Sequence, residues 1–197
     1  MRVFIAVDLS DGIRARIADL EADFAQLGLE GTVKFVDPRQ AHQTVKFLGD
    51  VPDDGVEQIQ AALAGIRQNP FEIELRGVGF FPKASLEKAR NIRVIWVGMS
   101  SGKEQLQALQ EEVETAMYTL GYPLERRFSA HVTLCRVKRP FRSKGELHRV
   151  LTKIGELHDA EVGKMRVDEL KLKKSTLTPK GPIYEDLYVK RLTGGRK

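Results

Sequence analysis

A chain of 197 residues, 42% apolar and 30% charged with a net charge of +5, can bury a substantial core as one large domain or two small lobes, and its positive balance favours an anionic partner. No window reaches the roughly eighteen apolar residues of a membrane span, and the opening MRVFIAVDLS meets Asp8 too soon for a secretory leader, so a soluble cytoplasmic protein with no membrane partner is expected. The single cysteine, Cys135, excludes an internal disulfide framework and suits a reducing compartment.

The chain opens with a strand pattern, RVFIAVDL, followed by a helix over about 11–27 with Ile13, Ile17, Leu20 and Phe24 at helical spacing and Ser10 as its N-cap. A short strand TVKFV, a strand HQTVKFL, a helix over about 53–67 and an alternating strand FEIELRGV come next. The order then begins again. RVIWVGM reads as a strand, 102–120 as a helix, HVTLCRV as a strand, 143–154 as a helix, EVGKMRVDELKLKKS as one long alternating strand, and IYEDLYVKRL as the last. His42 and His131 occupy matching places in the two halves. An α+β fold of two similar lobes is expected, within a single domain spanning 1–197 with approximate repeats 1–82 and 91–192. The charged segment 82–91 is the expected crossover between them.

The two histidine strands carry the chemistry. Side chains alternate faces along a strand, so strict alternation puts His42, Thr44 and Lys46 on one face, opposite Ala41, Val45 and Phe47. It likewise puts His131, Thr133 and Cys135 together, opposite Val132, Leu134 and Arg136. Each histidine lies about 6.6 Å along the strand from its threonine, so one phosphate can touch both. Only four histidines are present, and His148 and His158 lack the pattern and read as surface residues. Breaking a phosphodiester in line needs a base on the attacking water and an acid on the departing oxygen. Imidazole serves in either state near neutral pH, and two threonine hydroxyls can bond the non-bridging oxygens. Near-symmetric motifs do not distinguish the acid from the base.

The chain resembles the 2H phosphoesterase family, in particular the RNA 2′,3′-cyclic phosphodiesterases once called 2′-5′ RNA ligases. The resemblance covers nearly the whole chain, through FIAVDL, HQTVKFLGD, FFP at 80–82, RVIWVG, RRFSAHVTLCRVK and LKKSTLTPKGPIYE. Its diagnostic part is the pair of H-x-T-x motifs at 42–45 and 131–134. Val45 stands where leucine is commoner, and Ala130 where proline is frequent; neither change removes a functional group. The resemblance implies an antiparallel sheet in each lobe with helices outside and the active-site cleft between the lobes. It also implies hydrolysis of RNA 2′,3′-cyclic ends to 2′-phosphomonoesters with neither metal nor cofactor, His42 being the proton donor and His131 the proton acceptor.

Around this pair, Thr44 and Thr133 are the expected phosphate ligands, and Lys46, Arg136 and Tyr184 are candidate substrate contacts. Alternation turns Arg136 away from His131 unless a bulge intervenes. Phe80, Phe81 and Phe128 are candidates for base stacking, and Arg126 and Arg127 for the nucleic-acid backbone. Arg136, Lys138, Arg139, Arg142, Lys144 and Arg149 crowd behind the second motif, and Lys171, Lys173, Lys174 and Lys180 near the C-terminus; both clusters suit phosphate. Cys135 beside His131 suggests zinc, but no set of three or four ligands at metal spacing is visible. GMSSGKE at 98–104 has the wrong glycine spacing for a phosphate loop. The expected partners are RNA 3′ ends or small cyclic nucleotides, and the protein is expected to be a monomer. Ligation of a cyclic end to a 5′-hydroxyl by the same acid and base, and a non-catalytic RNA-binding module, are the competing readings.

Overall fold

The computed structural model describes residues 1–125, 128–179 and 181–194. In chain order its elements are β1 (Arg2–Asp8), α1 (Asp11–Ala25), β2 (Val33–Phe35), a 3-10 turn at Pro38–Gln40, β3 (His42–Asp50), α2 (Asp53–Ala64), β4 (Phe71–Phe81) and β5 (Val94–Ser101). These are followed by α3 (Lys103–Tyr118), β6 (Val132–Val137), α4 (Lys144–Glu156), β7 (Glu161–Val167), β8 (Glu169–Thr178) and β9 (Gly181–Arg191). Val3 to Val7 of β1 are buried throughout, which suits a strand with neighbours on both edges and layers on both faces. In α1 the residues at helical spacing, Ile13, Ile17, Leu20 and Phe24, are buried, together with Glu21, and the Ser10 hydroxyl accepts from the Ile13 amide at the helix N-terminus.

Two antiparallel sheets result. The first has the order β3-β1-β8-β9 and the second β2-β6-β5-β4-β7. Within each, a histidine strand pairs with the opening strand of its own half: β3 with β1, and β6 with β5. The third position is filled from the other half, by β8 in the first sheet and β4 in the second. Helices are exchanged in the same way. α1 leaves the first sheet and packs on β6 and β7 of the second, whereas α3 leaves the second and packs on β3 of the first. α2 joins α3 and β9, and α4 covers β4. The expected α+β architecture of two sheets with outer helices is therefore present, with the two halves of the chain interlaced.

Two expectations about connectivity change. The run 161–175 is not one strand but two, divided at Asp168: β7 lies at the edge of the second sheet, and β8 crosses to the centre of the first. Segment 82–91 is not a crossover, because it joins β4 to β5, adjacent strands of one sheet. A side chain's alternation shows that it faces a core; it carries no information about which sheet closes that core.

Candidate active site

A bulge in each histidine strand sets the site. Along β1 and β3, Ala6 pairs with Thr44 but Ile5 pairs with Lys46, so Val45 is an extra residue. Along β5 and β6, Trp96 pairs with Thr133 but Ile95 pairs with Cys135, so Leu134 is extra. Past each bulge the alternation is inverted. His42 and Thr44 stay half-buried on the inner face, while Lys46 turns into the helix-covered side and Phe47 comes round to the face of His42. The Phe4 ring touches both, 4.9 Å from His42 and 6.0 Å from Phe47. In the second strand Cys135 turns inward and the exposed Arg136 takes the position corresponding to Phe47.

This corrects two expectations and changes the face on which Arg136 lies. Lys46 is 1% exposed, and its ammonium donates to Glu114 at 2.7 Å and to the Pro123 carbonyl at 2.8 Å; it cannot serve as a phosphate contact at this site. Cys135 does not share the face of His131. It is fully buried, and burial together with the Glu21 carboxyl pushes its thiol up to about 12, a poor state for a metal ligand or nucleophile. Arg136 is brought toward His131 by the bulge that alternation alone omits.

The imidazoles are held alike. His42 Nδ1 lies 2.8 Å from the Gln40 carbonyl, and His131 Nδ1 lies 2.9 Å from the Ser129 carbonyl. A carbonyl can only accept, so Nδ1 carries the proton in both rings and Nε2 is left as the working nitrogen. Edge-on aromatic contacts fix the ring planes: Tyr184 packs on His42 at 5.2 Å, and Phe81 packs on His131 at 5.1 Å. Trp96 borders His131 at 6.4 Å. Its indole lies flat because two glycines form its floor; a Cβ at Gly79 would stand 2.4 Å from the indole and one at Gly98 3.2 Å.

The charges around the two rings differ. Burial pushes both below the ordinary imidazole value. At His42 the Gln40 carbonyl and then the Asp8 carboxylate oppose that push, while Lys173 and Arg14 add to it. At His131 the Ser129 carbonyl opposes it, and among the described residues the charge acting on the ring is that of Arg136, which adds to the push. Asp8 pairs with His42 across the strands and is held by Lys171 and Lys173 at 2.9 and 3.0 Å. Burial raises the Asp8 carboxyl, but those two lysines outweigh it and keep the group below its usual value. The Arg136 charge also acts on Tyr184, opposing the upward push of burial on that phenol. Tyr184 packs on His42, and the one Arg136 charge acts on both Tyr184 and His131, so the two rings share a charge although they belong to different sheets.

A family model described as LigT like Phosphoesterase matches twice, at residues 7–96 and 97–184, each copy containing one of the two histidine motifs. The chain belongs to the LigT-like phosphoesterases. Among its relatives, a Methanothermobacter thermautotrophicus protein named RNA 2′,3′-cyclic phosphodiesterase is 39% identical over 98% of this chain and 99% of its own. One of the same name from Aeropyrum pernix is 38% identical, covering 92% and 98%. A crystal structure from Thermus thermophilus superposes over the full length of both chains with a TM-score of 0.77 at 26% identity. That of E. coli LigT complexed with 3′-AMP shares the fold, with a TM-score of 0.74 at 24% identity over 98% of each chain.

The remaining sequence candidates of this LigT-like chain divide by environment. Phe81 lies at the site against His131, whereas Phe80 is a core residue, 7% exposed, and Phe128 packs on the core. Phe47, which strict alternation turns away from the site, is 57% exposed on the face of His42 and is the aromatic that sequence reasoning missed. The C-terminal lysines are not free for phosphate. Lys171 and Lys173 are shared between Asp8 and Asp186, and Lys174 pairs with Glu185. Arg142 is bound to Glu146 and the Gly28 carbonyl. His148 and His158 are exposed. Arg126, Arg127 and Lys180 lie outside the described residues. Among the described residues, no helix is long and apolar enough to cross a membrane.

Proposed function

We propose that the protein hydrolyses RNA 2′,3′-cyclic phosphate ends to 2′-phosphomonoesters, with His42 as proton donor and His131 as proton acceptor. The reading rests on one observation: two imidazoles, one in each sheet, each with Nδ1 tied to a carbonyl and Nε2 left to act. His131 Nε2 removes a proton from water as the oxygen attacks phosphorus. The P–O3′ bond breaks on the opposite side, and His42 Nε2–H protonates the departing 3′ oxygen. Thr44 and Thr133 hydroxyls bond the non-bridging oxygens, and Arg136 and Tyr184 border the substrate. The difference between the rings that supports this division of labour is the carboxylate: Asp8 favours a protonated His42, against Lys173 and Arg14, whereas the charge of Arg136 favours a His131 that is free to take a proton. Action on RNA ends or small cyclic nucleotides, as a monomer in the cytoplasm, belongs to the same proposal.

The deciding experiment is incubation with a short RNA ending in a 2′,3′-cyclic phosphate and identification of the product isomer. A 2′-phosphate, formed at the same rate with chelator present, is expected. A 3′-phosphate would reverse the geometry, and an unchanged substrate would remove the activity.

The pH dependence follows from burial. The base is lost when protonated and the acid is lost when deprotonated, so kcat/KM is bell-shaped with limbs at the two histidines' values in the free enzyme. Both are pushed below the ordinary value of about 6.5, so both limbs are expected below it, with kcat/KM falling roughly tenfold per pH unit on the alkaline side. A bound phosphodiester favours the charged rings, so the kcat profile is expected at higher pH than that of kcat/KM. A kcat/KM plateau across pH 7 to about 8 would contradict this.

A further inference from the structure

At the end of β6 the chain leaves the inner face and enters an open groove of about 520 Å³, formed where the segment before β5, the segment after β6 and the start of α4 meet. Five of its lining residues are cations, Arg90, Arg93, Lys138, Arg139 and Lys144, and among the described residues no carboxylate lines it. All five are exposed. Among the described residues none of them forms an ion pair, although most other cationic clusters in the chain are neutralised: Lys171 and Lys173 by Asp8 and Asp186, Arg142 by Glu146, Arg76 by Asp159 and Glu161. Arg90 Nη1 donates to the carbonyls of Glu87 and Ala89, which do not cancel its charge. Like charges gathered in one concavity repel, and an anion placed among them removes that cost.

The position of the groove identifies the anion. His131, Thr133 and Arg136 lie on one continuous segment with Lys138 and Arg139, and Lys138 is about 20 Å along the strand from His131. The end of that segment is held in place: the Val137 amide donates to the Arg93 carbonyl, and the Lys138 and Arg139 amides donate to the Thr32 carbonyl. A polyanion with its terminal phosphate at the histidines would pass Arg136 before reaching the groove. Half-buried Phe141 gives a base an apolar surface among the charges.

We propose that this groove is an upstream subsite that binds backbone phosphates of single-stranded RNA on the 5′ side of the cyclic end. The proposal rests on the function argued above and extends it: the protein is built for RNA ends rather than for free cyclic mononucleotides, and because phosphate contacts position without reading bases, it accepts many sequences.

The test compares 2′,3′-cyclic AMP with a single-stranded RNA of roughly ten nucleotides ending in a 2′,3′-cyclic phosphate, in the parent protein and in the triple variant Lys138→Ala, Arg139→Ala, Lys144→Ala. The parent is expected to show a lower KM for the RNA. The variant is expected to raise that KM roughly tenfold, with kcat and all mononucleotide kinetics unchanged. Its log–log salt dependence of RNA binding should flatten by about two units, at about 0.7 per lost phosphate contact. Equal KM values for the two substrates in the parent, or a variant that slows both substrates alike, would overturn the subsite. If the parent hydrolyses neither substrate, it is the functional reading that fails. The subsite is then decided by RNA binding alone: an unchanged salt slope in the variant overturns it, and a flattened one upholds it.

Discussion

Replacing His42 or His131 by alanine is expected to lower turnover of a cyclic-phosphate RNA end by about 10²- to 10⁴-fold in each case, with the double variant little worse than either single one. Each ring performs one half of a single proton relay, so losing either half forfeits most of what the relay contributes. Folding should be largely unaffected because both rings are only partly buried, and thermal unfolding checks this. The two variants are distinguishable. A phosphodiester whose leaving group departs as a stable anion, such as a nitrophenolate, needs no acid. It should restore much of the rate to His42→Ala and little to His131→Ala. Rescue of the His131 variant instead would exchange the two roles, and near-parental turnover in either variant on the RNA end would remove the two-histidine mechanism.

The charges give this experiment its direction. The H-x-T pattern reads the same in both strands, and the carbonyl behind each Nδ1 is the same feature two residues upstream. The halves diverge in what stands beside each ring. Asp8 is the cross-strand partner of His42, while Arg136 acts on His131. The sequence contains Asp8 and Arg136, but not the pairing of one or the bulge beneath the other.

That contrast explains what could be read in advance. The elements themselves were legible, because each buries a stripe or face whose period is written in its apolar residues: Ile13, Ile17, Leu20 and Phe24 in α1, Leu106, Leu109, Val113 and Met117 in α3. The histidine and threonine pairs were legible because polar groups repeated at one spacing in two strands are costly without a use. The face of every residue beyond Val45 and Leu134 was not. A bulge depends on the partner strand's register, and an error of one residue exchanges inside for outside. Strict alternation therefore puts both Lys46 and Arg136 on the wrong face, in opposite senses, and does the same for Phe47 and Cys135. The exchange of β4 and β8 between the sheets was hidden for a related reason, since Ile73 and Leu75 of β4 and Leu170 and Leu172 of β8 bury equally well against either.

The second large effect concerns the lysine so displaced. Lys46→Ala is expected to cost about 3 to 5 kcal/mol of folding stability, measured by urea unfolding at unchanged slope. Its ammonium is the charged partner of Glu114, whose carboxylate, 7% exposed, also accepts from Gln110 at 3.1 Å and from the Glu125 amide at 3.0 Å. Truncating the lysine leaves that buried carboxylate under the first sheet without its counter-charge. The cost lies in the broken pair, because two buried ions repay their desolvation only together. The double change Lys46→Met with Glu114→Leu should therefore recover most of the loss. The pair also grips the Pro123 carbonyl and the Glu125 amide, in the chain segment between α3 and β6 that delivers His131. Restoring stability with an apolar pair should consequently not restore full turnover, since both backbone tethers are gone. A Lys46→Ala protein within about 0.5 kcal/mol of the parent would show that this lysine is solvated after all, and would return it to the face of His42 where alternation first put it.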